Sequence, residues 1–427
     1  MSEMSLKQNE TCFSVSAPGK IILHGEHSVV YGKTALAASI SRRTRVTWKV
    51  NNRDDRLKLS LSAINLEKEY NLKNIHDCLL AVPPPIVEQS ELASFNVGTP
   101  ELLDLAELLP VLTKFIPDAP SLTKEHRNPL LAFFTLFVGM LSSVAVEIKS
   151  CSISVTSELD IGAGLGSSAS YSVALAAGFL QFIRTCVERQ HKGQQNITRE
   201  GFKTIPSICS PNAEFSDGER DLISRWAYQC ERIMHGNPSG IDNLVCTYGF
   251  VLQFRKNVSR QGVTWKKLPP VKELSVLLVN TKVSRSTAAL VEKVAQKKAK
   301  FPSVIEAVFQ VIDQVALSAS SVFESMSDAN SSELEQHLHT LEELVDLNQG
   351  QLASLGVSHP RLDRVCAAAA ARGMHAKLTG AGGGGNAFVL VRPSPCDAEE
   401  LRRELEEEGY DCFVTGIGRE GVTVDSL

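Results

Sequence analysis

Gly162-Ala163-Gly164-Leu165-Gly166-Ser167-Ser168 is the stretch from which the rest of the chain is read. It lies between an alternating apolar segment, 148–156, that predicts a β-strand and a small-residue run, 167–184, that predicts a helix. Glycines at this density let the backbone take left-handed angles and let a ligand approach its amides. The helix that follows points unpaired N–H groups and the positive end of its dipole at the loop, which makes an anion site. The two serines can cap that helix and offer a hydroxyl to a magnesium ion. The plainer reading is a tight turn capping a helix; the strand–loop–helix setting favours phosphate. No Gly-Lys-Ser/Thr follows, so this is not the Walker pattern, and no βαβ unit with an acidic residue for a ribose marks a dinucleotide fingerprint.

A second glycine cluster, Lys377-Leu378-Thr379-Gly380-Ala381-Gly382-Gly383-Gly384-Gly385, lies far downstream. Ordering such a run costs up to about 1 kcal/mol per glycine relative to alanine. Its flanks are apolar and strand-like, so the run reads as a loop packed against another backbone or a phosphate. Between the clusters, Glu231 falls on a helix predicted over 221–234, and Asp242 follows the break His235-Gly236-Asn237-Pro238-Ser239-Gly240. Phosphoryl transfer needs a carboxylate on magnesium, another near the attacking hydroxyl, and positive charge near the developing oxyanion. Glu231 with a loop serine suits the metal. A surface charge for Glu231 and a helix cap for Asp242 are the plainer alternatives, as a solvated side chain is for Lys20. His24 and His27 flank Glu26 without a third ligand nearby, which disfavours a metal there.

Working outward, strands are predicted at 12–16 and 20–24 with a turn at Ala17-Pro18-Gly19, and the region 44–61 is strand-rich. The stretch 66–127 is polar and irregular, with a helical piece at 101–112. Residues 128–146 carry no charge, but glycine and serine dilute the run and candidate motifs lie on both sides, so it reads as a buried core helix and not a membrane span. Another strand is expected over 245–254. The basic, proline-ended connection 255–270 marks the domain boundary, giving units 1–262 and 263–427. The second unit reads as strand 274–280, helices 287–300 and 303–326, and a helix with Leu334, Leu338, Leu341 and Val345 on one face. Helix 362–372, strands 376–378 and 387–391, helix 398–408 and strand 412–415 complete it. The fold class is α+β.

The 427 residues carry a formal charge of −4, which gives no reason to expect a nucleic-acid or anionic-membrane partner. Ten cysteines with no C-x-x-C pair read as reduced thiols. The polar start, 1–11, lacks an apolar secretory core, and the final Asp425-Ser426-Leu427 is not the peroxisomal Ser-Lys-Leu address, so the cytoplasm is expected.

Together, the block from Ser16 to His27, Gly164-Leu165-Gly166-Ser167-Ser168-Ala169 and the Lys377–Gly385 cluster resemble the three signature motifs of one superfamily. Its members are galactokinase, homoserine kinase, mevalonate kinase and phosphomevalonate kinase. Gln229-Cys230-Glu231-Arg232, the 235–243 segment and Asn280-Thr281-Lys282-Val283-Ser284-Arg285-Ser286-Thr287 are similar to its mevalonate kinase members. The resemblance implies an N-terminal domain with a left-handed βαβ unit, a ferredoxin-like C-terminal domain, and ATP-dependent phosphorylation of the 5-hydroxyl of (R)-mevalonate with Mg2+. By position it implies Asp242 as catalytic base, Lys20 as the lysine beside it, and Ser168 and Glu231 as magnesium ligands. Glu26, His27 and Thr287 then stand near mevalonate, Ser157 near the nucleotide, and the loop from Gly162 through Ala163, Leu165 and Ser167 around the phosphates. Gly380, Gly382, Gly383 and Gly384 support them. It further implies a homodimer and feedback by prenyl diphosphates. Asp160-Ile161 and Ser284 depart from the family pattern, and no residue is assigned to adenine. The rival readings are a phosphomevalonate kinase and a non-catalytic sensor on the same fold.

Overall fold

A computed structural model describes residues 11–51, 54–88, 95–142, 144, 150–193, 214–236, 238–256, 263–270, 274–392 and 396–426. The large sheet is built on β1 (Thr11–His24) and β2 (Thr34–Val50), paired antiparallel along nearly their whole length. β3 (Arg56–Leu61), β4 (Leu66–Asn71) and β5 (Cys151–Ser157) extend it in the order β1-β2-β5-β3-β4, and β3 and β5 are parallel. The chain between that parallel pair crosses over through β4 and the helices α1 (Leu72–Ile75), α2 (Leu105–Phe115) and α3 (Lys124–Leu141). α4 (Ser167–Gly193), α5 (Asp217–His235) and α6 (Ile241–Tyr248) follow β5. β6 (Val251–Lys256) pairs with the first half of β2 and with β7 (Val263–Lys267).

A second sheet has the order β11-β8-β10-β9, all antiparallel: β8 (Ser275–Asn280), β9 (Ala376–Leu378), β10 (Asn386–Val391) and β11 (Asp411–Gly416). Helices α7 (Thr287–Lys300), α8 (Pro302–Met326), α9 (Ser331–Leu355) and α10 (Pro360–Ala370) lie between β8 and β9, and α11 (Cys396–Glu407) lies between β10 and β11. Strand order 4-1-3-2 with a helix inside each half is the ferredoxin-like arrangement. Finally β12 (Thr423–Asp425) returns to the large sheet beside β1. There the Arg43 guanidinium donates to the Ser16 carbonyl at 2.8 Å and the Gly421 carbonyl at 2.7 Å.

Burial follows the patterns in the sequence. Every residue from Leu130 to Leu141 is buried in α3, where Phe134 packs on Phe133, and Phe133 and Phe137 pack with Phe179 of α4, which in turn meets Trp48. The uncharged run is core as far as Leu141. Among the described residues one helical stretch, Ser167–Glu188, could by length and composition cross a membrane, and 78% of its apolar window is buried inside the protein. On α9, Leu338, Leu341 and Val345 are buried and Leu334 packs beside them. A shared core of Ile21, Leu36 and Ile40 from the large sheet with Val276, Leu278 and Phe388 from the small one fixes the two sheets together.

Three expectations need correction. The turn at Ala17-Pro18-Gly19 is absent: β1 runs through it, absorbing the proline's missing N–H at a register shift between Pro18 and Lys20. The strand expected over 245–254 is a helix followed by a strand, because Ile241 and Val245, one turn apart, are buried and Gly249 at φ 70° ends the helix. Residues 257–262, at the expected domain boundary, lie outside the described residues; strand pairing of 263–267 with β6 puts these residues in the large sheet, not the small one.

Candidate active site

The loop between β5 and α4 has φ of 76°, 84° and 72° at Gly162, Gly164 and Gly166. At Gly166 a Cβ would stand 2.9 Å from Cγ of Lys20, so the glycine leaves room for the lysine side chain as well as the backbone angle. The bulge in β1 gives that lysine its place. Its backbone N–H donates to the Leu165 carbonyl at 2.8 Å, and the side chain, 6% exposed, brings Nζ 3.2 Å from Oδ1 of Asp242. Asp242 occupies the first turn of α6, entered through Gly240 in a left-handed conformation, and its side chain is 37% exposed. An ammonium and a carboxylate thus meet at the lip of the glycine loop, and the carboxylate faces solvent.

Behind them α4 and α5 pack with matched one-turn spacings. Ser168 Oγ donates to Oε2 of Glu231 at 3.2 Å, and Ser172 Oγ lies 3.3 Å from Oε1 of the same carboxylate. His235, one turn beyond Glu231, places Nε2 2.9 Å from Ser168 Oγ. Burial, reinforced by the Asp242 charge, pushes the Glu231 carboxyl up to about 7, although Ser168, Ser172 and Lys20 pull it back. Burial lowers the His235 imidazole, with Asp242 opposing. Among the described residues no three His, Cys, Asp or Glu side chains form a ready-made metal cage. A hard cation bound beside a nucleotide needs only one or two protein oxygens, because the phosphates and water supply the rest. Ser168 and Glu231 are oxygen donors of that kind.

The second glycine cluster closes against the first. Its glycines from Gly380 through Gly382, Gly383, Gly384 and Gly385 all have positive φ, and at Gly382 a Cβ would meet the Val357 carbonyl at 2.1 Å. Thr379 Oγ1 donates to the Ile22 carbonyl at 2.9 Å and accepts from the Ile22 N–H at 3.0 Å, which pins the cluster to β1. The Asn386 amide donates to the Ala163 carbonyl, and the Arg285 guanidinium lies between the loops, within 3.4 Å of the Ala163 carbonyl and 3.5 Å of the Gly382 carbonyl. Burial lowers the pKa of Arg285. Arg285 therefore brings positive charge to the seam; the sequence offered its motif but no reason to single it out.

The remaining expected positions divide. Ser157, at the end of β5, shares a hydrogen bond with Thr44 Oγ1 at 2.9 Å and accepts from the Leu159 N–H at 3.2 Å, so its hydroxyl is engaged within the protein. Thr287 stands exposed at the start of α7, two residues past Arg285. His27 has φ 60° and donates from Nε2 to the Ala381 carbonyl at 2.9 Å. Glu26, expected near the substrate, is held inside the protein. It is 1% exposed, ion-paired with the fully buried Lys377, and accepts from the Asn348 amide at 3.0 Å. A buried carboxylate needs such partners, and with both oxygens taken it serves as a counter-ion between the sheets.

The GHMP kinases N terminal domain family matches residues 135–198, and the GHMP kinases C terminal family matches residues 330–411. Mevalonate kinase of Homo sapiens is 37% identical over 414 residues, covering 96% of this chain and 94% of its own length. The Bos taurus enzyme is 36% identical over 417 residues with the same coverage, and that of Arabidopsis thaliana 31% identical over 412 residues, covering 96% of this chain and 98% of its own. Among solved structures, L. major mevalonate kinase in complex with R-mevalonate aligns with TM-score 0.60 at 19% identity, over 96% of this chain and 97% of the other. Lactococcus lactis galactokinase complexed with galactose aligns with TM-score 0.56 at 15% identity, over 96% and 95%. These structural likenesses show a shared fold.

Proposed function

This chain belongs to the mevalonate kinases of the GHMP kinase family, and from that premise we propose which residues carry the terminal phosphoryl group of ATP to mevalonate. The enzyme phosphorylates the 5-hydroxyl of (R)-mevalonate, yielding 5-phosphomevalonate for isoprenoid and sterol synthesis. One observation supports the assignment above the others: Lys20 and Asp242 lie 3.2 Å apart at the lip of the glycine loop. In the proposed reaction Asp242 accepts the hydroxyl proton as the oxygen attacks in line, and the Lys20 ammonium stabilises the developing alkoxide. The amides of Gly162 to Ser168, the positive end of α4 and the Arg285 guanidinium hold the phosphate oxygens. No phosphoenzyme forms.

Magnesium, when bound with the nucleotide, neutralises charge on the β- and γ-phosphates. Ser168 and Glu231 would hold it. The donors fit, because burial makes the Glu231 carboxylate costly as a free anion and a cation offsets that cost.

Measuring ATP consumption with mevalonate, phosphomevalonate, galactose and homoserine in parallel tests the reading. Turnover is expected with mevalonate alone. Turnover with phosphomevalonate in its place, or with none of the four, overturns it.

A homodimer in the cytoplasm, inhibited by prenyl diphosphates that compete with ATP, completes the proposal. An exposed apolar strip along α8, Val304 and Val311 with Val308 between them and Gln351 of α9 beside it, supports the dimer. Sedimentation should return the mass of two chains, and a prenyl diphosphate should raise KM for ATP alone. A single-chain mass, or inhibition relieved by mevalonate instead of ATP, would count against these parts.

A further inference from the structure

Ser168 and Ser172 face Glu231 and His235 across the α4–α5 contact, one helical turn separating each pair. Three of these four side chains have a part in the cation site as described: Ser168 and Glu231 as ligands, and Ser172 as a hydrogen bond to the Glu231 carboxylate. His235 has no part in it, although its Nε2 is the nearest polar side-chain atom recorded to Ser168 Oγ, at 2.9 Å against 3.2 Å for Glu231.

A serine hydroxyl has one proton and two lone pairs. To serve a cation it must turn a lone pair toward the ion and hand its proton to an acceptor on the other side. Glu231 is a poor acceptor once a cation is bound, because the carboxylate then shares that ion and its Oε1 already faces Ser172. The imidazole remains. Once Glu231 is committed to a cation, the serine proton can turn from the carboxylate to the imidazole: in the tautomer with its proton on Nδ1, Nε2 of His235 accepts from Ser168.

We propose that His235 is a positioning residue of the cation site: it accepts the Ser168 hydroxyl proton in a hydrogen bond and so turns the serine oxygen toward magnesium. The proposal rests on reading Ser168 and Glu231 as the ligands. It separates two groups on one helix face by role, the buried Glu231 acting on the ion and the half-exposed His235 acting on the serine. Outer partners of this kind change metal affinity by about 10–100-fold when removed.

The test measures binding of Mn2+ by electron paramagnetic resonance to the protein saturated with a non-hydrolysable ATP analogue, together with steady-state constants. His235→Ala should weaken Mn2+ binding at least tenfold and raise KM for Mg-ATP while leaving KM for mevalonate unchanged. His235→Gln, whose amide oxygen still accepts a hydrogen bond from the serine hydroxyl, should recover most of the loss. The side chain is 57% exposed, so the melting temperature of both variants should match that of the parent. Unchanged Mn2+ affinity in His235→Ala overturns the proposal, as does equal impairment of the alanine and glutamine variants, which would mark the effect as packing. Glu231→Gln runs alongside. If it leaves Mn2+ binding intact, the ligand reading itself fails; if it weakens binding while His235→Ala does not, only the role of His235 fails.

Discussion

Asp242→Asn lowers kcat about a thousandfold and leaves KM for ATP within about threefold. A positioned general base contributes on the order of 10²–10⁴ in rate, and the asparagine amide keeps the shape of the carboxylate without its capacity to take a proton. Asp242 occupies the first turn of α6 with its carboxylate 37% exposed, facing solvent and the Lys20 ammonium, and has no recorded hydrogen bond to a loop amide. Removing its charge therefore leaves the phosphate cradle as it was, and a group that acts in the transition state changes kcat and kcat/KM together. Stopped-flow or coupled-assay kinetics would check this. A kcat within tenfold of the parent would remove Asp242 from the base role, and a large rise in KM for ATP would make it a nucleotide-binding residue instead.

Lys377→Met destabilises the fold by about 3–5 kcal/mol, the cost of leaving one charge of a buried pair without its partner. Lys377 is fully buried and Glu26 is 1% exposed. Burial pushes the Glu26 carboxyl up and the Lys377 ammonium down, each against the pull of the other. The pair ties the loop after β1 to β9, and Asn348 of α9 completes it, so its loss loosens the second glycine cluster as well as the core. Urea unfolding followed by fluorescence of the buried Trp48 and Trp226 should show a lower midpoint at unchanged slope. Adding Glu26→Gln to Lys377→Met should restore at least half of the loss, since the stranded carboxylate is then gone. A single variant within about 1 kcal/mol of the parent would mean that water reaches the pair.

Much of the architecture could be read from local pattern because its causes are local. The 287–300 helix has Ser286 as its N-cap, and the Leu338–Leu341–Val345 face has the period of a helix against a core. The start of α5 was also within reach: the sequence reading begins it at Asp221, yet Ser216 and Glu219, both upstream of it, form a capping box of the S-x-x-E type. Other features depend on partners that no window contains. β1 continues through Pro18-Gly19 because Thr11–His24 finds β2 along its length, and a proline beside a glycine reads locally as a turn. Glu26, placed near mevalonate by the resemblance, meets its buried partner only when Lys377 arrives 351 positions later. Lys20, Ser168, Glu231 and Asp242 were marked by the resemblance of their motifs; their spacing alone left the plainer readings open, and only the folded chain shows Lys20 against Asp242 and Ser168 against Glu231.

The return of β12 to β1 sets a timetable for biosynthesis. Ser16 meets Asp425 across 409 positions, and Arg43 clasps the carbonyl of Gly421 on the way. A ribosome adding about 5–20 residues per second leaves the outer edge of β1 unpaired for tens of seconds after it emerges. Throughout that interval the nascent polypeptide presents an open strand to its neighbours on the same message, the situation in which edge-to-edge association begins.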